Sequence, residues 1–152
     1  YPRSMYTFWK RTSPPHSLMA FDAPSRENCT ARRARTNTPL QALVLMNDEQ
    51  YVEAARKLAA RMIVEGGSQP ADRLAYGFRL ATGRLPTAKE AEVLNRQHQQ
   101  HLEKYQTNAE AAKKLLAIGA SPQNEQLDPA EHAAYTMVAS LLLNLDETVT
   151  KE

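Results

Sequence analysis

The sequence predicts an all-α fold, a compact bundle of about six helices preceded by a long irregular segment. Three observations carry that expectation. Helix-start signals recur at Thr38-Pro39-Leu40-Gln41, Thr87-Ala88-Lys89-Glu90 and Asp128-Pro129-Ala130-Glu131; each sets a capping oxygen three residues before an acid or amide, and two of them carry proline at the first helical position. Between those signals, apolar residues recur at helical spacing. No segment has the strict alternation of a half-buried strand.

Each element follows in order. Residues 1–37 contain Pro2, Pro14, Pro15 and Pro24 and read as extended or looping chain. Within them, Met5-Tyr6-Thr7-Phe8-Trp9 suits a short strand or a turn of helix packed on the rest. A short apolar helix over 40–46 stops or bends at Asn47-Asp48. Asn47 then caps a helix over 48–65, with Gln50 in the box position. Its inner stripe is Tyr51, Ala55, Leu58 and Met62, and Glu53 pairs outward with Lys57. Gly66-Gly67 ends it. A third helix spans 70–82, with Leu74, Phe78 and Ala81 facing inward and Gly83 closing it. The fourth runs from the Thr87 cap to about residue 106, and the fifth spans 109–118 up to Gly119. The sixth, capped by Asp128, is apolar nearly all round over 133–145, which predicts a place at the centre of the bundle.

Composition bounds the rest. A length of 152 residues suits one domain, with residues 1–37 packed on a helical body over 38–152. Hydrophobic residues at 42% and charged residues at 24% are a globular balance, and the net charge is only +2. So weak a field disfavours nucleic acid, although Lys10, Arg11, Arg26, Arg32, Arg33 and Arg35 crowd the first quarter. Cys29 is the single cysteine, which leaves no internal disulfide, no cysteine-rich zinc site and no CxxCH for covalent haem. The longest apolar run is too short to span a bilayer. The chain opens at Tyr1, so a fragment of a longer protein is expected.

Chemistry-bearing residues gather in two places. Asp22, Arg26, Glu27, Cys29, Arg32 and Arg33 form the densest polar stretch, offering two carboxylates, a thiol and guanidinium forks. His16 is the one imidazole near Cys29 in sequence, so an inert, buried thiol is the expected state, and Asp22 is expected to bond to loop backbone. His98 and His101 sit three residues apart on a stripe with Leu94 and Tyr105. That spacing could hold a metal if a carboxylate joined. The same stripe makes them edge residues of a buried face, which is the favoured reading. No phosphate loop, nucleophile elbow or dinucleotide fingerprint occurs.

The stretches YTFWKRTSPP, FDAPSRENCTARRARTNTPLQALVLMNDEQYVEAAR, GRLPTAKE and LLLNLDETVTKE together resemble the C-terminal part of the planctomycete-specific domain of unknown function. The resemblance covers nearly the whole chain and is weakest over residues 97–126. It implies a large extracytoplasmic protein, periplasmic or at the cell surface, often with a cytochrome-c-like domain elsewhere. Haem c would then belong to the parent protein and no cofactor to this chain. Other domains of the same parent are the implied partners, with carbohydrate a further one. Two functions follow as expectations. The first is an accessory or docking module, and the second is part of a hydrolytic or haem-linked redox enzyme with its site near residues 22–35. The resemblance carries over no catalytic residue.

Overall fold

The computed structural model describes residues 6–10, 12–25, 27–32, 34 and 36–150. Eight helices form among them: α1 His16–Ala20, α2 Pro39–Asn47, α3 Glu49–Glu65, α4 Pro70–Thr82, α5 Ala88–Thr107, α6 Ala109–Leu116, α7 Pro129–Leu143 and α8 Asp146–Val149. The only β pairing among the described residues is an isolated bridge between Lys10 and Ser13. No helix among them is long and apolar enough to cross a membrane.

The caps work as their chemistry dictates. Thr38 and Thr87 each accept from the backbone amide three residues on, while the side chains of Gln41 and Glu90 accept from the cap amide. Asp128 accepts from Glu131 N, and Gly83 ends α4 in the left-handed conformation at φ 85°. One cap differs from expectation. Asn47 is the last residue of α2 and bonds back to Leu43 O, and Asp48 caps α3 through Gln50 N. Asparagine and aspartate both compete for such positions, and the acceptor-only carboxylate takes the amide. Two short helices, α1 and α8, are too brief to leave a periodic signal. α6 stops at Leu116, two residues before the expected end.

α7 carries the most burial. Eight of its residues, from His132 to Leu142, are buried, and it packs against α2, α3, α4, α5, α6 and α8. Tyr135, Val138, Ala139 and Leu142 join Ala59, Met62, Leu74, Phe78 and Leu94 in one apolar cluster. Ala133 and Ala134 join Tyr105, Ala112 and Leu116 in a second. Each large side chain so buried contributes roughly 1.5–3 kcal/mol. Gly77 lets α4 approach α3, because a Cβ there would overlap the Met62 thioether.

The inner stripe of α3 differs by a rotation of about one residue. Val52, Ala55, Arg56, Ala59, Met62 and Ile63 are buried, whereas Tyr51 and Leu58 are half-buried. The cause is a long-range contact that spacing does not encode. Arg56 turns inward and donates to Leu116 O at 2.9 Å and Ser121 O at 2.8 Å, meeting the bare carbonyls at the end of α6. Glu53 points the same way and accepts from Ala120 N at 2.6 Å, so its role is this bond and not the expected pair with Lys57. Those bonds hold the Glu53 carboxyl below its usual range, the Ser121 hydrogen bond acting most strongly. Gly119, at φ 104°, lies where a Cβ would overlap that carboxylate.

Candidate functional site

The loop that carries most of the candidate residues is closed by one carboxylate. After α1, Asp22 adopts φ 57°, a conformation that aspartate tolerates better than most residues. Its Oδ2 accepts from Thr36 N at 2.8 Å, and the Thr36 hydroxyl also donates to it. Gln41 Nε2 donates to that hydroxyl at 3.0 Å, while Gln41 Oε1 accepts from Thr38 N. The chain thus leaves at Asp22 and returns at Thr36, pinned to the first turn of α2. Asp22 therefore bonds to loop backbone, as its residue type suggests.

Beside this closure lies a cleft of about 570 Å³, walled by Phe21, Asp22, Arg32, Thr36, Gln41 and Thr150 among others. Phe21 is fixed by ring packing on Tyr51 of α3, with centroids 5.9 Å apart. Asp22 and Arg32 are the two sequence candidates that the fold brings to one cleft. Glu27 and Cys29 lie on the loop but do not line it. Arg26 and Arg33 lie outside the described residues. Cys29 is exposed, which corrects the expectation of a buried thiol. The described residues on either side of it, 27–32, are all exposed. His16 lines a separate cavity with Met19 and Leu40, so no imidazole shares the cleft with the loop residues.

The histidine pair divides. His98 is buried with its ring 4.3 Å from that of Tyr135, and burial lowers its pKa below the ordinary value. His101 is half-buried and stacks on Tyr105 at 6.5 Å. Among the described residues no three His, Cys, Asp or Glu side chains gather in a way that could hold a metal.

Three buried polar residues escaped the sequence reading: Arg56, His132 and Thr136. His132 Nε2 lies 3.1 Å from Arg56 O, and Thr136 bonds back to His132 O within its own helix. Arg56 alone left a trace, a charge on the apolar side of α3. Arg56 and His132 brace α3 against the turn after α6 and against α7.

Ion pairs tie the far end of the bundle. Arg84 spans Glu90 and Glu147, at 2.7 and 2.9 Å, and lies over the Phe78 ring. The Arg84 bond, with help from Thr87, holds the Glu90 carboxyl down at about 2. Arg73 joins α4 to Glu131 of α7 at 2.8 Å.

No curated protein and no solved structure matches this chain. Residues 1–98 match PSD1, described as "Protein of unknown function (DUF1553)". That match spans more than half of the chain and includes the loop, the cleft walls from Phe21 to Gln41 and α1 to α4, and the chain therefore belongs to the PSD1 family.

Proposed function

We propose that this chain is an accessory module that docks onto other parts of a larger extracytoplasmic protein through residues 6–21 and the outer face of α2. One observation carries the reading: no described residue before Gln41 is buried, although this stretch is rich in aromatic and aliphatic side chains. Phe8 is 81% exposed and Tyr6 72%. On α2, Leu40, Leu43 and Met46 face solvent as well. Met19 of α1 and Leu40 line one cavity, so the two helices share a continuous apolar surface. Contiguous exposed apolar area of this kind marks interaction sites. A free tail would not carry so much of it.

The alternative, a hydrolytic or redox site near residues 22–35, draws on the cleft that joins Asp22 and Arg32. Its weakness is the Asp22 carboxylate, whose oxygens accept from Thr36 and thereby close the loop. A carboxylate so engaged is a poor general base.

The deciding experiment mixes this chain with the separately produced remainder of its parent protein and measures association by calorimetry. Association is expected, and Leu43→Lys should weaken it by about tenfold or more. Failure to associate, or an unchanged affinity for the variant with an unchanged fold, would end the docking reading.

A further inference from the structure

A groove of about 400 Å³ runs between α2, α3, α5, α6 and α7. Its volume lies within the roughly 300–1,000 Å³ typical of small-molecule pockets. Buried side chains of Val52, Ala55 and Val138 line it, and the exposed Met46 and Leu141 stand at its edge. Methionine at such an edge adapts to irregular apolar shapes.

Its polar groups are what separate this groove from a merely apolar surface. Gln97, His101, Ser140 and Asn144 line it and are half-buried. Among the described residues, none of these four side chains bonds to another protein group. Water meets them in the free chain, and a ligand head could replace that water. No Asp, Glu, Lys or Arg lines the groove. Burial holds the His101 imidazole toward its neutral form, with the nearby Lys104 acting in the same direction. An ion placed here would lose its hydration without gaining a counter-charge.

We propose that this groove binds a small uncharged amphiphile, whose apolar body lies along Val52, Ala55 and Val138 and whose hydrogen-bonding head meets His101 and its polar neighbours. The inference does not depend on the docking reading: the two share Met46 at the groove's edge, and the polar groups belong to the helical body.

The test uses the full chain carrying 13C-methyl methionine and a titration with 1-decanol, decanoate and decylamine. Met46 and Met137 line the groove, Met62 lies in the core, and Met19 is exposed on α1. Decanol should shift Met46 and Met137 saturably and leave Met19 and Met62 in place. Both charged analogues should bind at least about tenfold more weakly. His101→Leu, which keeps an apolar body but loses a polar partner, should weaken decanol by about tenfold. Ser140→Phe should abolish the shifts, with the Met62 resonance and the circular dichroism reporting that the fold is intact. The proposal fails if Met19 shifts in parallel with Met46, if Met46 and Met137 do not respond, or if decanoate or decylamine binds as tightly as decanol. It fails also if Ser140→Phe folds and still binds.

Discussion

Residues 6–40 and the body that follows obey different rules, although they belong to one chain. In the body, caps start the helices, and α3, α4, α5, α6 and α7 close over two apolar clusters. In the first stretch no described residue is buried, and its contacts include the polar closure at Asp22 and Thr36 and the packing of Phe21 on Tyr51. Hydrophobic burial scales with area removed from water, whereas an exposed polar closure is worth little against competing solvent. The body is thus held by its interior, and the described residues of the first stretch have no such interior.

The largest expected effect comes from hollowing the body. Leu142 is fully buried in α7, so Leu142→Ala should cost about 2–5 kcal/mol in urea unfolding. A smaller loss than about 1 kcal/mol would mean that the cluster around α7 relaxes and that the contrast between the regions is overstated.

Acid should act next, again through the body. Burial lowers the pKa of His98 and His132, against the raising influence of Glu131 on the first and of the bond to Arg56 O on the second. Arg73 and His101 push His98 further down, and Arg56 and Lys57 do the same to His132. The unfolded chain therefore takes up protons before the folded chain does. Stability from these two groups is complete above the unfolded value of 6.5 and falls as pH drops below it. Glu90, held near 2, adds a second loss as pH falls below 4.5. The urea midpoint should be lower at about pH 5.5 than at about pH 7.5. A rise in the midpoint on acidification would contradict the burial of both imidazoles.

The smallest effect belongs to the first stretch. Phe8→Ser should change stability by no more than about 0.5 kcal/mol, because its ring is exposed. Measured beside Leu142→Ala, it sharpens the comparison. A cost of about 2 kcal/mol would place Phe8 in an interior after all, and would remove much of the support for docking.

Helix positions were largely legible before the fold was known. Thr38, Thr87 and Asp128 cap where their side-chain chemistry says they should, since an N-cap needs only its neighbours within one turn. Asp22 was legible from its residue type, as a loop aspartate bonded to backbone, but its partner Thr36 was not. The Asp48 cap was missed because Asn47 offered an equivalent signal one residue earlier. The cleft was legible only in part. Its residues Asp22 and Arg32 fall in the polar stretch, whereas Gln41 and Thr150 come from distant segments.

Chain-local chemistry settled the helical class and the starts of α2, α5 and α7. Capping and helical periodicity involve residues one or two turns apart, so a linear reading contains them. The orientation of α3 was settled across 60 residues or more, by Arg56 reaching Leu116 O and Glu53 reaching Ala120 N. The exposure of Cys29, the sharing of one cleft by Phe21 and Thr150, and the groove under Met46 were settled in the same way. Each depends on which segments the folded chain brings side by side, and spacing along the sequence carries no record of that distance.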